Sequence, residues 1–299
     1  MKRSHLSSTF VTSALTLVLC LLAGLAVAAQ EKEKIEKGII INKQELKEVV
    51  KVKNKEFCGS ENWSSDDKQQ YRELRESTVT AGSIDVDAGR NGGISVKGEN
   101  RSDILVRACI QAWGDTIEAA KAAVSSVRIS TGSSIRADGP DESNYSVSYQ
   151  ILVPRNTDLR LKAHNGGISI NSVGGRMEFE TTNGGVSLYD LAGDVRGRTT
   201  NGGVSVKLIG RSWEGSGLDV QTSNGGVNLM MPEGYSANLQ AGTVNGGFNT
   251  NIASLNLDRD DRGRLTTKTI NAPLNGGGAP IRVTTTNGGV QIKTDAVKY

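Results

Sequence analysis

The fold is decided by residues Thr181–Val206, which read TTNGGVSLYDLAGDVRGRTTNGGVSV. The tripeptide Asn-Gly-Gly occurs twice in this stretch, 18 residues apart, and each copy precedes alternating apolar and polar residues. Across the whole chain the tripeptide begins at Asn91, Asn165, Asn183, Asn201, Asn224, Asn245, Asn275 and Asn287. From Asn165 to Asn245 the steps are 18, 18, 23 and 21 residues, a length typical of one unit in a repeat protein.

The residues on both sides of Asn-Gly-Gly also repeat. Apolar residues lie three and five positions after the Asn, as at Val204 and Val206, and six and four positions before it, as at Met177 and Phe179. A period of two predicts a short β-strand with one buried face on each side of the tripeptide. A further apolar column, also predicted to face the core, consists of Val173, Leu191 and Ile209.

The tripeptide itself is predicted to be a backbone corner, because Asn and Gly adopt positive φ at little steric cost. Two folds place such corners between strands. We favour an all-β, single-stranded β-helix, or β-solenoid, of 18–23-residue coils, since the columns recur at a near-constant step. The alternative is an antiparallel β-meander of Asn-Gly hairpins. The predicted structural corners are Asn91, Asn165, Asn183, Asn201, Asn224, Asn245 and Asn287.

Composition and charge limit the class of protein. Among 299 residues there are 36 Gly, but no Gly-X-Y period, which excludes collagen. Hydrophobic residues make up 36% and aromatic residues only 4%, so the core is predicted to be aliphatic. Lys and Arg number 35 against 32 Asp and Glu. This near balance argues against nucleic acid as a partner, because neutralising many phosphates requires a basic excess.

The N-terminus has the pattern of a signal peptide over residues 1–29. Lys2 and Arg3 precede an apolar run from Leu15 to Leu25, and small residues follow at 26–29. We therefore expect an exported protein, periplasmic, secreted or at the cell surface, with no integral membrane span after cleavage. Residues 30–79 are predicted to be a charged lead-in segment, and residues 80–299 the β-solenoid domain.

The N-terminal half is less regular than the repeats. Strands are predicted at 83–86, 94–96, 103–110, 126–130, 134–137 and 145–153. One short helix is predicted over 116–127, because Asp115–Glu118 resembles a capping box before an alanine-rich segment.

Two cysteines, Cys58 and Cys109, remain after the predicted cleavage. An oxidising compartment favours a disulfide between them, with two separate thiols as the alternative.

No catalytic, cofactor-binding or metal site is predicted. His164 is the only histidine outside the leader and occupies a position where other repeats have Thr, Ser or Val. Asp258, Asp260 and Asp261 could flank a glycosidic bond or hold Ca²⁺, but arginines are interleaved with them and a solvated loop is the simpler interpretation. Trp213 lies in the longest repeat, where it either covers the core or meets a ligand.

Several longer stretches resemble one bacterial family. They are AWGDTIEAAKAAVSSVRI, YSVSYQILVP, the repeats HNGGISI, TTNGGVSL, TTNGGVSV and SNGGVNL, and LNGGGAPIRVTTTNGGVQI. Together they resemble the bacterial putative-adhesin family, a domain of unknown function related to autotransporter-adhesin-like proteins, over roughly residues 80–295. The resemblance implies a β-helix-like domain of the cell envelope without established catalytic residues.

The sequence therefore predicts an exported, non-catalytic, adhesin-like β-solenoid. Its repetitive polar surface, which includes Ser169, Ser187, Ser205 and Asn228, is expected to bind an envelope or extracellular glycan or protein. The column of Asn residues either binds a repetitive polymer or is explained by amides stacking on one another. The alternative function is a polysaccharide-active β-helix enzyme that uses loop carboxylates.

Overall fold

A computed structural model describes residues 57–59, 68–130, 132–139, 144–252, 255, 257–258, 260–262 and 266–295. The predicted signal peptide and most of the predicted lead-in segment, residues 30–56 and 60–67, lie outside the described residues. The chain divides into two compact units, Met1–Gly59 and Ser60–Tyr299. All strands named below, and the helix, belong to the second unit.

The second unit is mostly β-structure, with an α-helix after its fourth strand. In chain order the elements are β1 (Gln69–Val79), β2 (Ser83–Asp87), β3 (Ile94–Glu99), β4 (Ile104–Gly114), α1 (Ile117–Ser126), β5 (Arg128–Ile129), β6 (Ser134–Asp138), β7 (Tyr145–Pro154), β8 (Asp158–Asn165), β9 (Ile168–Asn171), β10 (Arg176–Asn183), β11 (Val186–Tyr189), β12 (Asp194–Asn201), β13 (Val204–Lys207), β14 (Gly217–Asn224), β15 (Val227–Pro232), β16 (Ala237–Asn245), β17 (Phe248–Thr250), β18 (Thr269–Leu274), β19 (Pro280–Asn287) and β20 (Val290–Asp295).

The strands form two large mixed sheets. Sheet A has the order β1-β4-β7-β3-β9-β11-β13-β15-β20-β17, and sheet B has the order β18-β16-β19-β14-β12-β10-β8-β2-β6-β5. Each repeat gives the strand before its Asn-Gly-Gly to sheet B and the strand after it to sheet A. Since β10 and β11 lie in different sheets, the corner at Asn183 is not a hairpin turn, and the antiparallel meander is wrong for these repeats.

Neighbouring repeats pair in parallel and in register. In sheet B, Met177 lies beside Val195 and Asn183 beside Asn201; in sheet A, Val186 lies beside Val204. Partners therefore occupy equivalent positions of adjacent repeats, and chemically similar residues form continuous columns. This register places the apolar columns inside, where for example Val195, Val204 and Leu218 are at most 2% exposed.

The last repeats do not stack in chain order. β19 lies between β14 and β16, and β20 lies between β15 and β17. The final repeat is thus inserted between the two that precede it, so the stacking order differs from the chain order there. β18 pairs antiparallel with β16 at the edge of sheet B, where it covers backbone groups that the last parallel strand leaves unpaired.

The N-terminal part adds antiparallel strands and the helix. β1, which falls in the predicted lead-in, pairs along its length with β4, and β4 pairs with β7. Helix α1 begins at Ile117, one residue after the predicted start. Its N-cap is Thr116, not the first residue of the predicted capping box, and Thr116 Oγ1 accepts from the backbone N–H of Ala119 at 3.1 Å. Arg75 donates to the carbonyl of Val124 at 3.0 Å, close to the helix C-terminus. β5 is shorter than the predicted strand because Ser126 still belongs to α1.

The third apolar column is only partly internal. Val173 is buried and Leu191 is half-buried, but Ile209 is 43% exposed, so its predicted inward position is wrong. The repeat containing Ile209 is five residues longer than its predecessors, and Leu208 and Trp213 are buried there instead.

Positive φ does not explain the Asn-Gly-Gly corners, and that prediction is also wrong. From Asn165 onwards, neither the Asn nor the two glycines of the stacked corners has positive φ. The first glycine is needed for a different reason: a Cβ on Gly184 would overlap the carbonyl of Gly166 in the neighbouring repeat. The positive φ values occur at the opposite turn instead, at Ser172 (55°) and Asp190 (54°).

Cys58 and Cys109 are disulfide-bonded, which confirms the predicted pairing.

Candidate binding surfaces

The seven predicted corner asparagines lie side by side and form an asparagine ladder. Asn183 Nδ2 donates to Asn165 Oδ1 at 2.8 Å, and the same bond joins every adjacent pair at 2.8–3.1 Å. The spatial order is Asn91, Asn165, Asn183, Asn201, Asn224, Asn287 and Asn245. An amide both donates and accepts, so identical side chains satisfy one another along the stack. This geometry supports amide stacking as the explanation of the column.

Buried threonine hydroxyls stabilise five of the corners, a feature that was not predicted from the sequence. Thr199 Oγ1 donates to the carbonyl of Gly184 at 2.8 Å, and Thr222 Oγ1 to that of Gly202 at 2.8 Å. The equivalent Thr181, Thr243 and Thr285 do the same. All five are buried, so each hydroxyl and each carbonyl is satisfied within the corner. The signal in the sequence was a Thr two positions before the Asn.

The outer surface of sheet A carries a row of small, uncharged polar side chains, called here the serine face. In spatial order its residues are Ser95, Ser169, Ser187, Ser205, Asn228, Gln291 and Asn249. The predicted row of three serines and Asn228 is therefore continuous in space. Beside it runs a row of glycines, including Gly185 and Gly203, that leaves the backbone uncovered. From Ser187 to Asn249, the two rows line a shallow trough of about 970 Å³.

One exposed aromatic side chain borders the serine face. Tyr189 lies two residues after Ser187 on the same side of β11 and is 40% exposed. Lys207, its neighbour on β13, places Nζ 5.8 Å from the centre of the Tyr189 ring. Only the tryptophans were predicted as possible aromatic platforms, so Tyr189 was not identified from the sequence.

The outer surface of sheet B is densely charged and is called here the charged face. Its members are Asp85, Asp87, Arg160, Lys162, Glu178, Glu180, Arg196, Arg198, Asp219, Gln221, Arg282 and Thr284. Ion pairs join neighbouring strands between Arg160 and Glu178 (3.3 Å), Arg198 and Glu180 (3.0 Å), and Arg282 and Asp219 (3.6 Å). A groove of about 580 Å³ runs over its centre.

The other residues singled out in the sequence do not come together. His164 is exposed at the end of β8, far along the chain from the aspartate loop. Asp260 accepts from the backbone N–H of Arg262 at 3.0 Å, a local turn contact. Asp258 and Asp261 are exposed in the same loop. Among the described residues, His, Cys, Asp and Glu side chains form no group of three that could hold a metal ion.

Trp213 covers the core. Its ring is buried, and Nε1 donates to the carbonyl of Gly193 at 2.9 Å. This contact fixes the indole against the neighbouring repeat. Of the two predicted roles of Trp213, covering the core is therefore the one that the structure supports.

Two tyrosine hydroxyls have perturbed acidity. Burial raises the pKa of Tyr235 to about 12, and the carboxylate of Glu214 adds to the effect. Burial also raises the pKa of Tyr149, with a smaller contribution from Asp87. Both tyrosines belong to the hydrophobic core, and both stay neutral at physiological pH.

Within the described ranges, no helix has both the length and the apolar character that a membrane span requires.

Comparison with known proteins gives distant structural likenesses. No protein-family model matches the chain, and no curated protein matches it. A crystal structure of a putative cell adhesion protein from Clostridium sporogenes is 11% identical, with a TM-score of 0.39, over 76% of this chain and 100% of that one. A putative adhesin from Bacteroides fragilis is 11% identical, with a TM-score of 0.28, over 75% of this chain and 97% of that one. Neither likeness is strong enough to carry an argument about this protein.

Proposed function

We propose that the chain is an exported, non-catalytic, adhesin-like β-solenoid that binds an extended, uncharged glycan of the cell envelope or its surroundings along the serine face. The observation that carries the proposal is the unbroken row of seven small polar side chains from Ser95 to Asn249. They lie on adjacent strands, at intervals of about 4.8 Å.

The chemistry of the serine face suits sugar hydroxyls. Hydroxyl and amide side chains both donate and accept hydrogen bonds, so they can pair with a hydroxyl in either orientation. None of the seven side chains is ionised, and so an uncharged polymer meets no unpaired charge there. Tyr189, exposed at the border of the row, offers a ring face on which a sugar can stack.

The disulfide supports export. Disulfides such as that of Cys58 and Cys109 form and persist in oxidising compartments, which include the periplasm and the cell exterior. This agrees with the signal-peptide pattern of residues 1–29.

A binding and turnover screen tests the proposal. The purified full chain is applied to an array of neutral and charged glycans and incubated with the same glycans to detect products. We expect retention of neutral glycans without product. The double variant Ser187→Arg/Ser205→Arg fills the trough with charge and should weaken binding at least tenfold.

The matched control is Thr182→Arg/Thr200→Arg, which places the same charges on the sheet B side of the same two repeats and should bind normally. Two results would overturn the proposal. One is glycan binding that is equal in both double variants. The other is product formation that Asp258→Asn or Asp260→Asn abolishes, which would establish the enzyme alternative.

A further inference from the structure

The charged face alternates in sign from strand to strand. β2 presents Asp85 and Asp87, and its neighbour β8 presents Arg160 and Lys162. β10 then presents Glu178 and Glu180, and β12 presents Arg196 and Arg198. At the levels of Glu178 and Glu180, the charges from β2 to β12 are therefore negative, positive, negative and positive. One level earlier, Asp158 of β8, Arg176 of β10 and Asp194 of β12 carry the opposite signs.

The alternation continues on the next two strands. β14 presents Asp219 and β19 presents Arg282, while Gln221 and Thr284 are uncharged. The six strands thus carry stripes in the order negative, positive, negative, positive, negative, positive. When this order of charges is reversed, every negative position coincides with a positive position of the original order.

Ion pairs within the face leave these charges accessible. Arg198 and Glu180 pair at 3.0 Å but remain 71% and 49% exposed, and Arg160 and Glu178 remain 68% and 59% exposed. Exposed pairs of this kind contribute little to folding stability. A partner surface can therefore contact both members of each pair.

A twofold axis parallel to the strands would therefore relate two copies of the chain so that opposite charges meet. The axis lies above the charged face, over the gap between β10 and β12, and brings the charged faces of two copies together. In the second copy the strands run in the same direction, but their order across the sheet is reversed. β10 then faces β12 of the second copy, β8 faces β14, and β2 faces β19. Every negative strand meets a positive one.

The rows along the strands also match under this operation. Residues at the same level of β10 and β12 face each other, so Glu178 meets Arg196 of the second copy and Glu180 meets Arg198. At the next level Arg176 of β10 meets Asp194 of β12, which is again an opposite pair. No like charges are opposed at any of these levels.

We propose that the charged face is a self-association surface, through which two copies of this chain form a symmetric dimer. Such an isologous interface is self-complementary by construction. Five strands of eight residues and β2 with five, about 4.8 Å apart and at about 3.3 Å per residue, offer a patch that measures at most roughly 29 Å by 26 Å. That is close to the area that each partner buries in a stable interface, about 800 Å². The serine face lies on the other sheet and stays free.

Charge complementation between two variants tests the proposal. Glu178→Arg/Glu180→Arg makes β10 positive, and Arg196→Glu/Arg198→Glu makes β12 negative. In a dimer of either variant alone, like charges would oppose each other at the centre. In a mixed dimer, the positive β10 and β12 of the first variant face the negative β12 and β10 of the second.

The measurement is sedimentation velocity of the full chain at low salt, with circular dichroism to verify folding. We expect wild type to dimerise, and at least tenfold weaker dimerisation at about 1 M salt, because salt screens exposed charges. Each variant alone should be monomeric, and an equimolar mixture should restore the dimer.

A neutral variant guards against misfolding of the reversed ones. Glu178→Gln/Glu180→Gln removes the attraction without adding repulsion and should weaken the wild-type dimer at least tenfold. The proposal is overturned by a wild type that is monomeric at about 100 µM, a concentration that populates even weak dimers. It is equally overturned by folded variants that dimerise alone or stay monomeric when mixed.

Discussion

The serine face and the charged face are built from equivalent outward positions of the same repeats, yet their chemistry differs. On sheet A, Ser187 lies beside Ser205, so like stacks on like. On sheet B, Glu180 lies beside Arg198, so each charge stacks on its opposite. The difference shows what in-register stacking permits: neutral side chains can repeat unchanged, whereas like charges on neighbouring strands would repel each other.

The asparagine ladder between the two faces follows the same rule. An amide donates to one neighbour and accepts from the other, so identical residues satisfy each other at every step. Seven asparagines therefore repeat without the alternation that charges need. Apart from the glycines that follow it, the repeat position with the strictest residue identity is the one whose side chain is complementary to itself.

The largest effect is expected from a substitution that tests which side chains of β13 face the core and which belong to the serine face. Val204→Asp buries a carboxylate beside Val186 and should lower the free energy of unfolding by about 4 kcal/mol or more, because the charge loses its hydration. Ser205→Asp, one residue later on the exposed side, should change it by less than about 0.5 kcal/mol. Denaturant unfolding measures both. Equal free energies of unfolding for Val204→Asp and wild type would show that the Val204 side chain faces solvent.

A smaller effect tests the glycine rows beside the serine face. A Cβ on Gly202 would overlap the carbonyl of Gly184, so Gly202→Ala should destabilise the fold by about 1–3 kcal/mol. A Cβ on Gly203 would lie 3.5 Å from the nearest carbonyl oxygen, an ordinary contact. Gly203→Ala should therefore be neutral, or stabilising by up to about 1 kcal/mol, because it restricts the unfolded chain. Equal costs for the two substitutions would contradict the close stacking of the corners.

The smallest effect compares the two faces directly. Glu180→Gln removes the ion pair with Arg198 and should lower the free energy of unfolding by about 0.2–1 kcal/mol at low salt and by almost nothing at about 1 M salt. Ser187→Ala on the serine face should show no such salt dependence. Thermal unfolding at two salt concentrations measures the contrast. A salt-dependent effect of Ser187→Ala would contradict the uncharged interactions of the serine face.

Periodicity alone predicted the parts of the fold that depend on local alternation. Columns such as Val186 and Val204 and the continuous row around Ser187 follow from spacing, and the position of α1 to within one residue follows from capping chemistry. The insertion of β19 between β14 and β16 could not be predicted, because equivalent repeats offer nearly identical pairing edges and the spacing does not specify their order.

Close approach between repeats was equally invisible in the sequence. The overlap that forbids a side chain at Gly184 arises from a neighbour 18 residues away, so its cause is tertiary, although the glycine itself suggested a local φ preference. Ile209 lies outside the core because Leu208 and Trp213 of the longer repeat are buried there instead. The complementarity of the charged face became apparent only when the strand order of sheet B was known.

Disulfide trapping at the asparagine ladder tests the stacking order most directly. Adjacent parallel strands lie about 4.8 Å apart, within the Cα separation of about 4.4–6.8 Å that a disulfide spans, whereas strands two steps apart do not. Asn224→Cys/Asn287→Cys should therefore form a disulfide, while Asn224→Cys/Asn245→Cys should keep two free thiols, as read by thiol labelling and peptide mapping. Bond formation in the second variant and not in the first would contradict the order of the repeats.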